Sequence, residues 1–331
     1  MGKAGPCRGN LYRRQNVTTF VCADWSKEAP RRAVCVADTR SRRAGRWRFP
    51  HIDFHRVLDA ASALDGDVVI GFDCALGVPE SFLAASHLPS FEALLAHLAA
   101  QPDFARPVDS VAAWCLDRPF FRVPAGAGSR GLFEACAARQ GVVLWRDIDR
   151  RTGANPVFIT AGIPGSVGSG ALALWQQLAV EMPGRTFGLW PFDGADLDEL
   201  LQRRRVVVGE IYPRVAYAVA LLDAPPQHRA RLRLAKTQQH ARETALATLL
   251  QRPWVKNHGV TIDDCEDAVA SEDVFDALLT ASAFLRCALE GRSVGGPAAV
   301  AEGGILLTGA LNLALPELQW PLKATSMAGQ T

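Results

Sequence analysis

The chain has 331 residues, 49% of them apolar, and a formal net charge of +2. This length suits one large domain, or a core domain with an insertion, since domains commonly hold about 100–200 residues. No apolar run reaches the roughly 18 residues of a membrane span, and the basic N-terminus lacks the apolar segment of a secretory signal. We therefore expect a cytoplasmic protein with no membrane partner.

The cysteines point to a reducing compartment. There are eight, with no C-x-x-C pair among them, and three lie inside apolar runs. This distribution favours buried free thiols over disulfides or a zinc site.

Basic residues are concentrated in two stretches. Residues 1–50 hold twelve Lys or Arg against three Asp or Glu, and residues 201–256 hold eleven against three. Residues 263–276 form an acidic block without a basic residue. Basic flanks around an acidic centre suit a metal-dependent enzyme that acts on a polyanion, and a solvated arginine-rich surface accounts for the same counts equally well.

The first part of the chain predicts a flexible basic tail, residues 1–16, followed by half of a core, residues 17–80. Short polar links between the first three strands favour antiparallel neighbours. The expected elements are strands at 18–24, 33–37, 47–49 and 68–72 and a helix at 57–64.

Residues 81–204 are predicted to form a large, mostly helical insertion. Helices are expected at 90–100 and 171–181, and the glycine-rich segment Gly162–Gly170 precedes the second of them. Such a segment can bind phosphate at a helix N-terminus. It lacks the G-K-[ST] ending of a P-loop, so an ordinary loop with a helix cap is the simpler interpretation.

Residues 205–315 are predicted to complete the core, and residues 316–331 to form a second tail. The expected elements are a strand at 206–211, helices at 213–220, 227–251 and 272–290, and a late strand at 304–308.

Carboxylates that end apolar runs are the main candidate site residues. Asp24, Asp73 and Glu210 each end a predicted buried strand, and Asp276 follows Asp273 by three residues on the last helix. Residues three apart share a helix face, and carboxylate oxygens are the ligands that Mg²⁺ and Mn²⁺ prefer. Each acid alone also has an ordinary role, as a turn residue or as a partner of the helix dipole. Together they predict a hard-cation site.

The same segments resemble a known group of proteins. The motifs are Cys22–Ser26 (CADWS), Ile70–Pro79 (IGFDCALGVP), Glu210–Pro213 (EIYP) and Asp273–Ala277 (DVFDA). They are similar to domain-of-unknown-function family 429, a group of predicted nucleases with the ribonuclease H-like fold. The order of strands and acids also looks like the bacterial Holliday-junction resolvases of that fold.

This resemblance, over roughly residues 18–308, implies an α/β fold with a ribonuclease H-like mixed sheet, in which three antiparallel strands precede parallel strands, with helices flanking the sheet. The resemblance implies five metal ligands: Asp24, Asp73, Glu210, Asp273 and Asp276. It also implies that all of them except Asp273 are catalytic. Lys236 and Arg242 match basic residues that the group carries after its Glu motif, which implies a role in substrate binding. A solvated basic helix face is the alternative for these two.

The leading functional hypothesis is a nuclease, a hydrolase that cuts phosphodiester bonds of DNA or RNA with two Mg²⁺ or Mn²⁺ ions. One alternative is a nucleic-acid-binding protein that keeps the fold without the chemistry, for which salt-sensitive and metal-independent binding is expected. A third and less favoured hypothesis is a nucleotide-dependent enzyme of the actin-like and sugar-kinase group. That group duplicates the hairpin pattern, of which one copy is evident here.

Overall fold

The computed structural model describes residues 17–125 and 128–321. The strands are β1 Val17–Asp24, β2 Ala33–Asp38, β3 Arg43–Arg46, β4 Asp67–Asp73, β5 Phe121–Arg122, β6 Ile159–Ala161, β7 Gly188–Leu189, β8 Val206–Glu210, β9 Leu232–Arg233, β10 Thr261–Ile262, β11 Ala298–Ala299, β12 Gly303–Gly304 and β13 Leu318–Gln319. The helices are α1 Phe54–Ser62, α2 Glu80–Ala85, α3 Phe91–Ala100, α4 Ser129–Arg139, α5 Asp147–Thr152, α6 Gly168–Glu181, α7 Leu197–Arg203, α8 Pro213–Leu221, α9 Gln239–Gln251, α10 Pro253–His258, α11 Cys265–Ala270 and α12 Glu272–Leu289. None of these helices is both long and apolar enough to cross a membrane.

The central sheet contains seven strands in the order β10-β3-β2-β1-β4-β8-β7. β1 pairs antiparallel with β2, and β2 with β3, whereas β1, β4, β8 and β7 run parallel to one another. This arrangement confirms the mixed sheet that the sequence predicts. Because parallel strands end at the same edge of a sheet, Asp24, Asp73 and Glu210 are brought to one edge.

Side chains of β1 alternate between two cores, one on each face of the sheet. Phe20 and Cys22 pack with α8 and α12 on one face. Val21 and Ala23 pack with α1 and the insertion on the other. Helix α12 is buried along Val274–Cys287, which explains why its sequence is apolar on nearly all sides. The cysteines of the described residues are free thiols, as expected.

The insertion between β4 and β8 covers the face of the sheet that carries α1. Trp175 of α6 donates an indole hydrogen bond to the carbonyl oxygen of Ala75 at 2.8 Å, which fastens the insertion to the loop after β4. Strand β7, which also belongs to the insertion, pairs with β8 and extends the central sheet. The regular elements of the insertion are mainly helices, although much of it is irregular. The two contacts above join it closely to the core.

The third strand lies earlier than the apolar pattern predicts. The strand is Arg43–Arg46 rather than 47–49. The guanidinium groups of Arg43 and Arg46 form ion pairs with Asp263 and Asp267, at 3.0 and 2.8 Å. These partners lie far away in the chain, so no local pattern indicates them.

The prediction of a helix at 227–251 is wrong for the first half of that range, because α9 begins at Gln239. Residues before it form a 3₁₀ turn, strand β9 and a loop. Leu232 of β9 pairs with Leu318 of β13, a distant partner that local composition does not show. Lys236 consequently lies on a loop.

The C-terminal part of the core also departs from its pattern. The strand predicted at 304–308 is reduced to Gly303–Gly304 and one bridge between Ile305 and Glu210. Of the predicted second tail, residues 316–321 contain β13. Residues 322–331 and the predicted tail at 1–16 lie outside the described residues.

Candidate metal centre

Three carboxylates converge where β1 and β4 end. Asp24 and Asp73 are the last residues of these strands and are register partners. Asp276 approaches them from α12, and one oxygen atom of each carboxylate lies within 4.8 Å of the others. We call this group the aspartate triad. Its all-oxygen donor set and spacing suit a hard divalent cation such as Mg²⁺ or Mn²⁺.

Local structure determines how α12 presents Asp276. The helix begins after Ser271, whose side chain accepts a hydrogen bond from the backbone N–H of Val274 and so caps the first turn. Asp276 lies one turn further along and is 1% exposed. Its carboxylate accepts hydrogen bonds from the hydroxyl of Tyr217 on α8 and from the ammonium group of Lys236.

Burial and mutual repulsion raise the pKa values of the triad. For Asp24, burial acts most strongly and the charges of Asp276 and Asp73 add to it, so the pKa lies well above the usual range. Burial also raises the pKa of Asp73 and that of Asp276, with Lys236 opposing both shifts. A cation placed between the oxygen atoms would relieve this repulsion. The electrostatics of the triad therefore favour cation binding.

Lys236 faces the triad from the loop after β9. Burial alone would lower its pKa, but the charges of Asp276 and Asp24 outweigh burial and raise it. The ammonium group is therefore charged at neutral pH. It supplies one positive charge to a site with three carboxylates.

Arg242 lies behind this loop rather than in the cleft. Its side chain is buried, and it donates hydrogen bonds to the carbonyl oxygen of Val269 at 2.9 and 2.6 Å and to that of Lys236. These contacts tie the loop to α11. Arg242 thus holds the backbone of Lys236, whereas Lys236 itself reaches the site.

Glu210 belongs to a different group of charges at the same edge. The guanidinium of Arg146 binds both of its carboxylate oxygens, at 2.6 and 2.8 Å, and the backbone N–H of Leu76 donates to it at 2.8 Å. The same guanidinium pairs with Asp149 at 2.6 Å. We call Glu210, Arg146 and Asp149 the arginine cluster; all three are buried. Burial raises the pKa of Glu210 and Arg146 opposes the shift.

Asp273 lies beside the triad but is not one of the three converging carboxylates. It is half-buried on the first turn of α12 and lines the cleft described below. Its charge contributes to the raised pKa of Asp24 and of Asp276. It is therefore close enough to add to the negative potential of the site.

A cleft of about 850 Å³ opens above the triad. Asp24, Asp73 and Asp273 line it, with Tyr212 and Tyr217 from the β8–α8 segment. Its basic lining residues are Lys27, Arg31, Arg214, Arg233 and Lys236. The cleft therefore combines acidic and basic side chains, as a site for a metal ion and a phosphate requires.

The glycine-rich segment of the insertion forms one wall of this cleft. Pro164–Val167, Ser169 and Gly170 line it directly before and within the first turn of α6. A Cβ atom on Gly168 would lie 2.3 Å from the carbonyl oxygen of Val157, so the close approach of these two backbones requires glycine. The segment is thus held in a fixed position next to the site.

Two side chains of the site carry no readable signal in the sequence. Arg146 lies 64 positions from Glu210, in a polar stretch of the insertion. Tyr217 is a single hydroxyl in an apolar helix. Their roles follow from the tertiary structure alone.

Comparisons with family models, with curated proteins and with solved structures give no match for this chain.

Proposed function

We propose that this protein is a metal-dependent phosphodiesterase that hydrolyses phosphodiester bonds of nucleic acids. The observation that carries the proposal is the aspartate triad, two members of which, Asp24 and Asp73, line a cleft that basic side chains also line. The strand order β3-β2-β1-β4-β8 supports a ribonuclease H-like fold, since the acids end the first and fourth strands and a C-terminal helix supplies a third. The motif resemblance to family 429 points the same way.

The triad is the part of the chain that would hold the ion. A bound Mg²⁺ or Mn²⁺ would supply Lewis-acid activation of water and stabilisation of charge at the phosphate. Lys236 is placed to neutralise a phosphate oxygen beside the ion. Tyr217 holds the carboxylate of Asp276 in place through its hydroxyl.

The three converging carboxylates fit one ion. Lys236 supplies a second positive charge in their immediate surroundings. Glu210, which the motif resemblance implies as a further ligand, has both carboxylate oxygens bound to Arg146. A second ion therefore stays a prediction from the resemblance, and one ion is what we propose here.

The proposal is tested with purified protein, Mn²⁺ or Mg²⁺, and labelled single-stranded and duplex oligonucleotides. We expect metal-dependent cleavage that falls by about 100-fold or more in Asp24→Asn and Asp276→Asn. Asp223→Asn is the matched control, because Asp223 pairs with Arg252 at a distant exposed position. Folded triad variants with full activity would rule out the proposed function.

The charged ammonium of Lys236 and the other basic side chains that line the cleft also suit a second candidate, a nucleic-acid-binding protein without catalytic activity. Binding would then fall steeply with salt and would respond neither to metal nor to Asp24→Asn. The actin-like and sugar-kinase alternative calls for a duplicated sheet, whereas the described residues contain one sheet of this type.

A further inference from the structure

The two walls of the cleft touch each other at its border. The guanidinium of Arg231, just before β9, donates a hydrogen bond to the carbonyl oxygen of Arg151 at the end of α5. Gly153 and Arg233, each two residues further along, line the cleft. The insertion and the second half of the core are therefore bridged directly beside the site.

The insertion also meets the core next to the triad. A Cβ atom on Gly170 would lie 3.5 Å from the carbonyl oxygen of Trp25, the residue after Asp24. Trp175, in the same helix, is hydrogen-bonded to Ala75, two residues after Asp73. Helix α6 is thereby fixed beside the ends of both acid-bearing strands, and its wall cannot move away from the triad without breaking these contacts.

The size of the cleft limits what can enter it. The cleft measures about 850 Å³, which lies within the range of about 300–1,000 Å³ for sites that take small ligands. Proteins that bind along a continuous single strand instead use a groove that follows the backbone over about 4–16 nucleotides. A space bridged at its border and of this volume holds about one or two nucleotide units.

We propose that the cleft admits the free end of a nucleic-acid strand, or a dinucleotide-sized phosphodiester, and excludes uninterrupted strands. This inference rests on the proposed function and adds the substrate class to it, namely terminal phosphodiesters. The exposed cations Lys27, Arg31 and Arg233 at the rim are placed to meet the phosphates nearest the end. The Arg231–Arg151 bridge is the barrier to a strand that passes through.

The test uses three substrates with Mn²⁺: a linear single-stranded oligonucleotide, the same sequence closed into a circle, and bis(4-nitrophenyl) phosphate. We expect hydrolysis of the small diester and stepwise shortening of the linear strand. The circle should be cut more slowly than the linear strand by a factor of about ten or more. A circle cut as fast as the linear strand would overturn the inference and leave the proposed function standing.

If none of the three substrates is hydrolysed, the proposed function fails. The occupant of the cleft is then decided by fluorescence anisotropy with the labelled linear strand, the circle and a dinucleotide as competitors. Binding of the linear strand and the dinucleotide in preference to the circle supports the inference, and equal binding of circle and linear strand overturns it.

The bridge itself is tested by Arg231→Ala in the same assays. Loss of the bridge should raise the rate, or the binding, of the circle relative to the linear strand. Arg43→Ala, which removes an exposed guanidinium that pairs with Asp263, is the matched control. An unchanged ratio in folded Arg231→Ala protein would overturn the role of the bridge as the barrier.

Discussion

Two groups of buried charges lie at the same edge of the sheet, and they are balanced in different ways. In the arginine cluster, one guanidinium binds two carboxylates, and backbone N–H groups of Leu76 and Arg146 complete their hydrogen bonds. In the aspartate triad, three carboxylates face one ammonium group, that of Lys236. Both carboxylates of the first group are bound to the cation of the chain, whereas the second group has three carboxylates for one cation and so the larger surplus of negative charge.

This difference shows that acids at the ends of neighbouring buried strands can be balanced by different partners. Glu210 ends its strand just as Asp24 and Asp73 do. What separates them is how many carboxylates share the cation that the fold supplies: Arg146 serves two, whereas Lys236 faces three. A buried carboxylate without a full partner in the chain is stabilised by a bound ion. Substitutions can therefore disturb one group at a time.

The largest effect is expected from Arg146→Met. The change leaves two buried carboxylates without their partner, and breaking a buried ion pair in this way costs about 3–5 kcal/mol of unfolding free energy. Urea denaturation measures the loss. Arg43→Met, which removes an exposed ion pair, is the comparison and should cost about 1 kcal/mol or less. Equal losses in the two variants would mean that the arginine cluster does not stabilise the fold.

Asp73→Asn should remove the stabilisation that metal provides. An ion that binds only the folded state at 100 times its dissociation constant adds about 2.7 kcal/mol. We expect Mn²⁺ to raise the melting temperature of the wild type and of Asp223→Asn, but not that of Asp73→Asn. Without metal, Asp73→Asn should melt higher than the wild type, because one of the repelling charges is gone. A variant that keeps the full response to Mn²⁺ would contradict the assignment of the triad.

The metal-free protein should lose stability as the pH rises above about 4, the range in which an unfolded aspartate ionises. The folded pKa values of Asp24, Asp73 and Asp276 are raised, so the folded state retains protons that the unfolded state has released. By linkage, each retained proton lowers stability by about 1.4 kcal/mol per pH unit until the folded pKa is reached.

The pH effect is measured by unfolding at a series of pH values with a chelator present. Saturating Mn²⁺ should flatten or reverse the decline, since the ion binds the ionised carboxylates. The same series is recorded for Asp73→Asn. The raised pKa values would be contradicted if, with chelator present, the unfolding free energy of the wild type rose with pH more steeply than that of Asp73→Asn.

Lys236→Met should give the smallest effect. It should strengthen the binding of Mn²⁺ and slow the hydrolysis of phosphodiesters. Removal of the ammonium group takes away a positive charge that competes with the ion, so the affinity for Mn²⁺ should rise about tenfold. Phosphodiester hydrolysis should fall, because the side chain no longer neutralises the phosphate. Calorimetry and a cleavage assay provide the two readouts, and parallel changes in both would show that Lys236 only shapes the site.

The sequence predicts a mixed sheet and locates the three aspartates because these features are local. Strand ends, apolar runs and helix spacing are visible within a few residues, as at Asp24, Asp73 and Asp276. The features it misses depend on distant partners: Arg146 neutralises Glu210 across 64 positions. Likewise, β9 pairs with β13 and leaves Lys236 on a loop instead of a helix.

We propose that the triad, and not Glu210, forms the metal centre. The most direct test is Mn²⁺ binding by calorimetry for the wild type, Asp73→Asn and Glu210→Gln, with folding checked by circular dichroism. We expect one bound ion for the wild type and for Glu210→Gln, and none for Asp73→Asn in the same concentration range. Two ions in the wild type with one lost in Glu210→Gln, or unchanged binding in Asp73→Asn, would contradict it.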